Sequence, residues 1–156
     1  MIRVLFVCHG NICRSPMAEF VLRDMVEKRG LSHCVETASA ATHTDVLGWP
    51  VHRGTRRKLE TAGIACEGKT SRLVAREDYA AFDVIVAMDQ ANVQDLRRVF
   101  GGDPEGKVRK LLSFQGLSRD VADPWYTGDF EQTWQDVTGG CDALLESILR
   151  EGRAEA

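Results

Sequence analysis

Residues 2–16 read Ile2-Arg3-Val4-Leu5-Phe6-Val7-Cys8-His9-Gly10-Asn11-Ile12-Cys13-Arg14-Ser15-Pro16. The opening run, Ile2–Val7, is apolar apart from Arg3 and has no turn breaker, as expected of a strand buried in a parallel sheet. Pro16 suits the first turn of a helix, where its missing N–H costs nothing. Between strand and helix stand a cysteine, five residues, an arginine and a hydroxyl. A loop of that size can wrap one tetrahedral oxyanion. Successive N–H groups form a concave nest, and the helix N-terminus adds positive potential. Gly10 and Asn11 both tolerate the positive φ that a nest needs. The same field favours thiolate over thiol, which makes Cys8 the candidate nucleophile. Arg14 can clamp two phosphate oxygens with its planar fork. Ser15 can donate a hydrogen bond to the sulfur, helping it as nucleophile and then as leaving group. His9, Gly10, Asn11, Ile12 and Cys13 complete the phosphate-binding loop. The competing reading makes Cys8 a buried core thiol and Arg14 a surface charge.

Outward from this stretch, strand-like runs alternate with amphipathic ones. A helix from Pro16 to about Arg29 presents Met17, Val21 and Met25 at i, i+4 spacing and stops at Gly30. Strands are expected at Cys34–Ser39, Asp83–Met88 and Val108–Leu112. Helices are expected at Val51–Ala62, ending at Gly63, and at Gln90–Phe100. The last helix, Phe130–Arg150, carries the stripe Phe130, Trp134, Val137, Cys141, Leu144, Leu145 and Ile148. Asp129 is its candidate cap, with Gln132 completing a capping box. Gly139-Gly140 inside it should cost about 1 kcal/mol per glycine relative to Ala, which asks for a backbone packed close by. Alternating β and α elements imply a four-stranded parallel sheet with helices on both faces. Ligands of such folds bind beyond the carboxyl ends of the strands, where Cys8 stands.

Asp123-Pro124-Trp125-Tyr126 supplies a partner for Cys8. Phosphoryl transfer to a thiolate needs an acid for the leaving oxygen and then a base for water. Asp123 can serve as both. Pro124 stiffens its loop, and Trp125 and Tyr126 offer flat apolar walls for an aromatic leaving group. Taken alone, Asp-Pro is an ordinary turn.

Together these stretches resemble the low-molecular-weight protein tyrosine phosphatases. The resemblance is carried by Val4–Glu19, Ser39-Ala40-Ala41, Arg76-Glu77-Asp78-Tyr79, Met88-Asp89 and Asp123–Tyr126. It implies a flavodoxin-like three-layer α/β fold and a phosphotyrosine phosphatase working through a cysteinyl-phosphate intermediate, with Cys8, Arg14 and Asp123 catalytic. It implies no metal or other cofactor, phosphotyrosine proteins as substrates and inorganic phosphate as product. By the same resemblance, Asn11 and Ser39 brace the loop, and Cys13 is the redox partner that protects Cys8 by forming a disulfide. The chain departs from the family in two places. Lys69 stands where a histidine is usual, with a one-residue insertion nearby. Asp45 stands where an aromatic is common, which leaves Trp49 as a candidate pocket wall beside Ile12, Trp125 and Tyr126.

The chain of 156 residues, with 44% hydrophobic and 28% charged residues, fits one soluble domain, residues 1–156. A formal net charge of −3 argues against a nucleic-acid partner. No run approaches a membrane span. With a strand beginning at Ile2, no signal peptide is expected. Five cysteines without disulfide or zinc spacing suggest a reducing cytoplasm and core roles for Cys34, Cys66 and Cys141. A monomer is expected. Three rival activities share pieces of the pattern. A protein arginine phosphatase shares the fold and most of the loop. An arsenate reductase would need two further cysteines in a mobile segment, and only Cys66 is placed for that. Gly63–Thr70 satisfies the nucleotide P-loop spacing, but that motif needs a strand before it and a helix after it. Here a helical run precedes it, and Glu67 would face the phosphates.

Overall fold

The computed structural model describes residues 1–152. Its sheet is built from β1 (Ile2–Cys8), β2 (Val35–Ala41), β3 (Val84–Ala87) and β4 (Val108–Lys110), all parallel, in the order β2-β1-β3-β4. β1 is central and sets the side-chain alternation. Val4, Phe6 and Cys8 face a core shared with α1 (Arg14–Lys28) and α6 (Phe130–Arg150). Leu5 and Val7 face a core shared with α3 (Asp78–Ala81) and α4 (Gln90–Phe100). Helices therefore cover both faces, giving a three-layer α/β domain. α2 (Arg53–Thr61) and α5 (Pro124–Thr127) complete the helices described. No helix among the described residues is long and apolar enough to cross a membrane.

Several boundaries differ from the sequence reading for local reasons. α1 begins at Arg14, not Pro16, so Arg14 and Ser15 belong to its first turn and lie at the positive end of the helix. β2 runs on to Ala41, in register with Cys8. β4 ends at Lys110 because residues 111–115 tighten into a 3-10 helix, Leu111–Gln115. α2 is shorter at both ends, with His52 Nδ1 as its cap, accepting from Gly54 N at 3.0 Å. Asp129 caps α6, accepting from Gln132 N at 2.9 Å, but Gln132 turns its amide to Asp136, so the box stays half-formed. The reciprocal box opens α4 instead, between Asp89 and Asn92.

Gly139 and Gly140 are explained by side chains, not by a neighbouring backbone. A Cβ on Gly140 would lie 2.5 Å from Leu111 Cγ, and one on Gly139 would lie 2.9 Å from Gln115 Nε2. The 3-10 helix seats itself on α6 in that gap. Cys66 and Cys141 are buried, whereas Cys34 is only half-buried, its thiol near Leu31 O. The stretch 63–70 has neither a strand before it nor a helix after it. Gly63, at φ +76°, follows the C-cap of α2, so the nucleotide P-loop reading fails on geometry.

Candidate active site

The loop from Cys8 to Cys13 is held from outside by its carbonyls. Cys8 O accepts from Thr42 N at 3.0 Å, and His9 O from His43 N at 3.0 Å. Gly10 O accepts from Ser71 Oγ at 2.7 Å, Ile12 O from His52 N at 2.8 Å, and Cys13 O from Thr55 Oγ1 at 2.9 Å. In a trans peptide the C=O of one residue and the N–H of the next point in opposite directions. Five carbonyls turned outward therefore turn the N–H groups of His9, Gly10, Asn11, Arg14 and Cys13 inward. Asn11 N shows the result directly, lying 3.3 Å from Cys8 Sγ. Only Asn11, at φ +59°, uses the left-handed conformation. Gly10 does not; its lack of a Cβ makes room for Val46, whose Cγ2 would lie 3.0 Å from that atom.

Behind the loop, a buried chain of hydrogen bonds assigns the protons. Ser39 Oγ donates to Glu19 Oε1, so it must accept from Asn11 Nδ2, at 2.9 Å. Asn11 Nδ2 also donates to Ser15 Oγ at 2.8 Å, while Asn11 Oδ1 accepts from Arg72 N at 3.2 Å. Ser15 Oγ already accepts from that amide, which leaves its own proton directed at Cys8 Sγ, 3.0 Å away. Lys69 closes the far end, donating to Ser39 O at 2.8 Å and standing 3.7 Å from the Glu19 carboxylate. Burial pushes the Lys69 ammonium below its ordinary value, against the pull of Glu19. Glu19, through Ser39, and Ser71, through Gly10 O, anchor the loop, and the sequence reading did not single them out. Glu19 carried a signal, as a charge two residues into the helix after Met17, but its burial was not legible.

Arg14 is 2% exposed and points across the site. Nη1 donates to Asp89 Oδ2 at 2.7 Å and to Val121 O at 2.9 Å, and Nη2 reaches Asp123 Oδ2 at 3.3 Å. Burial would lower its pKa, but the negative charges of Cys8, Asp123 and Asp89 outweigh burial and raise it. Its Nε is the one buried side-chain nitrogen or oxygen among the described residues that has no partner. A buried guanidinium N–H without an acceptor costs about 1–3 kcal/mol, a cost that an oxyanion accepting from this edge of the fork would relieve. Asp89, to which the sequence reading gave no role in the site, orients the fork. The loop bearing Asp123 is tied down through Val121 N, which bonds Met88 O at 2.9 Å. Asp123 caps α5, its Oδ1 accepting from Trp125 N at 3.0 Å. Burial first, then the negative charges of Cys8 and Asp123, pushes the Cys13 thiol far up, so it stays protonated.

Cys8, Cys13 and Asp123 open into a cavity of about 120 Å³ walled by Ile12, Val46, Trp125 and Tyr126, with His9, Gly10 and Asp45 also lining it. Trp49 is not among its walls. It is half exposed, and its backbone pairs with Ser71, so Val46 takes the wall position expected of it. Trp125 stands edge-on to His52, which stacks on Phe130. No group of three or more His, Cys, Asp or Glu residues with metal-binding geometry occurs among the described residues.

An anion nest with a thiol at its floor, at the carboxyl end of the central strand of a parallel sheet, places the molecule among the α/β proteins that bind phosphate through a strand–loop–helix. The model of the low molecular weight phosphotyrosine protein phosphatase family matches residues 3–154, and the chain belongs to that family. It is 43% identical over 153 residues to the low molecular weight protein-tyrosine-phosphatase YfkJ of Bacillus subtilis, covering 97% of this chain and 98% of the relative. It is 40% identical over 152 residues to PtpA of Staphylococcus aureus, covering 97% and 96%. The crystal structure of YfkJ superposes with a TM-score of 0.94 over 97% of this chain and 96% of that one, at 43% identity. A structure of the arginine phosphatase YwlE with a phosphorylated active-site serine superposes with a TM-score of 0.86 at 26% identity, over 97% and 99%.

Proposed function

We propose that the protein hydrolyses phosphotyrosine in protein substrates, with Cys8, Arg14 and Asp123 as its catalytic residues. The observation that carries this reading is the unpartnered, buried Arg14 Nε beside a loop that turns five of its carbonyls outward. Cys8 sulfur attacks phosphorus. The S–P bond forms as the P–O bond to the phenol breaks, and Asp123 gives its proton to the leaving oxygen. Arg14 and the loop N–H groups stabilise the equatorial oxygens of the transition state. Ser15 donates to the sulfur, easing its departure. In the second half, Asp123 takes a proton from water as that water attacks phosphorus, and the S–P bond breaks to release inorganic phosphate. All the groups in this cycle are side chains and backbone amides; it needs no metal.

The cavity walls support an aryl substrate. Ile12, Val46, Trp125 and Tyr126 suit a ring, and phosphoserine, which has none, is expected to be the poorer substrate. A protein arginine phosphatase is the competing reading, since YwlE has the same fold. Ile12 weighs against it, because its side chain offers no acceptor to the guanidino N–H groups that would pack on it, at about 1–3 kcal/mol for a group left unpaired. The test is kcat/KM on matched phosphotyrosine and phosphoarginine peptides. We expect a tenfold or larger preference for phosphotyrosine, shrinking in Ile12→Thr. A preference for phosphoarginine would overturn the substrate assignment.

Cys13 is the resolving thiol in this reading. Peroxide should produce a Cys8–Cys13 disulfide that peptide mapping detects and dithiothreitol reverses; recovery as complete in Cys13→Ala would remove that role. A thiol-dependent mechanism and five free cysteines fit a cytoplasmic, monomeric enzyme of one domain.

A further inference from the structure

One wall of the cavity carries a charge that the proposed chemistry does not use. Asp45 lies on the irregular segment between β2 and α2 and lines the cavity. Its side chain is 64% exposed, and its Oδ2 is 2.6 Å from His9 Nε2. The His9 ring stacks on His43, with centroids 3.9 Å apart and planes 6° from parallel. Behind it, His43 Nδ1 bonds Thr42 Oγ1 at 2.9 Å and faces Asp95 at 3.8 Å. Stacking on His43 supports one face of the His9 ring, and its Nε2 holds Oδ2 of the Asp45 carboxylate. Oδ1 makes no hydrogen bond to the described residues and is open to a donor from outside.

A carboxylate at the mouth of a phosphate site repels every incoming phosphate dianion. That penalty is the same for all phosphotyrosine substrates, so it cannot sort them by the ring. It can sort them by the charge of the residues beside the phosphotyrosine, which lie at the mouth when the phosphate sits on Cys8. A neighbouring Lys or Arg would meet the free Oδ1, whereas a neighbouring Glu or Asp would add a second repulsion. We infer that Asp45 is a specificity-determining residue that favours substrates with a cationic side chain next to the phosphotyrosine. The inference rests on the phosphatase reading above.

A pair of unit charges about 4 Å apart at water-like screening shifts an equilibrium about fivefold. Attraction of Lys together with repulsion of Glu therefore gives about 5–20-fold in kcat/KM at low ionic strength. The experiment uses three phosphotyrosine peptides that differ only in Lys, Ala or Glu beside the phosphotyrosine. We expect the order Lys > Ala > Glu for the wild type, collapsing in about 0.5 M salt. Asp45→Asn should bring the three within about twofold, and Asp45→Lys should reverse the order. Each ratio is taken within one variant, so a wall disturbed by the substitution cancels. Equal kcat/KM for the Lys and Glu peptides with the wild type, or a preference that survives unchanged in Asp45→Asn, would overturn the inference while the phosphatase reading stands. Failure to hydrolyse any of the three would overturn both.

Discussion

Asp89→Asn tests whether Arg14 works because it is aimed. Asp89 has two tasks in the structure, one per oxygen. Oδ1 accepts from Asn92 N at 2.8 Å and caps α4, and Oδ2 accepts from Arg14 Nη1 at 2.7 Å. Asparagine is as good a cap as aspartate, so the helix should keep its start. The charge-assisted bond to Arg14 is lost. Such bonds contribute about 1.5–3 kcal/mol, or about 10–150-fold if all of it appears in the transition state. Arg14 Nη1 keeps Val121 O at 2.9 Å, so part of the aim survives and the lower end applies, about 10–30-fold in kcat. Removing a negative charge beside the guanidinium makes the site more positive, so ground-state binding of phosphate should hold or tighten. The signature is a lower kcat with KM unchanged or reduced, measured by steady-state kinetics on a phosphotyrosine peptide, with thermal unfolding as the control. A kcat within twofold of wild type at unchanged melting temperature would refute the argument that Asp89 positions Arg14.

Three further outcomes follow from named contacts. Asp123→Ala should lower kcat on phosphotyrosine by about 10²–10⁴-fold, and by less on leaving groups that need no proton; full activity on phosphotyrosine would remove Asp123 as the acid. Gly139→Ala should stabilise the protein slightly through helix propensity, since the exposed end of Gln115 can move, whereas Gly140→Ala should destabilise it by about 1–3 kcal/mol against the buried Leu111; urea titration reads both, and a stabilised Gly140→Ala would contradict the packing described. Burial raises the Asp103 pKa, but hydrogen bonds from Tyr79 and from the N–H groups of Lys107 and Val108 outweigh burial and hold it below its usual value. Its contribution to stability is therefore intact above about pH 4 and lost as pH falls below that, so melting temperatures of Asp103→Asn should show a shallower acid slope than wild type.

What was legible in the sequence was whatever a local pattern could carry. The apolar run at Ile2–Val7, the Cys8-to-Arg14 spacing and the stripe on Phe130–Arg150 each need only nearby residues to be read. The partners of the loop were not legible, because they come from far along the chain. Thr42, His52, Thr55 and Ser71 donate to its carbonyls, and in sequence each is an unremarked polar residue in a loop or helix start. Asp89 looked like a strand-end aspartate, since nothing local says that Arg14, 75 positions away, reaches it. Trp49 was misassigned because its position relative to Gly48 says nothing about which way the segment folds. There the backbone pairs with Ser71 and brings Val46, not the indole, into the cavity. Leu111 and Leu112, the start of the 3-10 helix, read as the end of a strand because two apolar residues are too few to show a period.

The central claim is that phosphate passes through the Cys8 sulfur. Rapid acid quench of the enzyme with a radiolabelled phosphotyrosine peptide, followed by peptide mapping, measures this directly. The account predicts a burst of phenol equal to the enzyme concentration and label confined to the peptide that contains Cys8. Cys8→Ser should give no turnover while still binding vanadate, because the serine hydroxyl is not ionised by this loop. Label on any other residue, or turnover by Cys8→Ser, would contradict it.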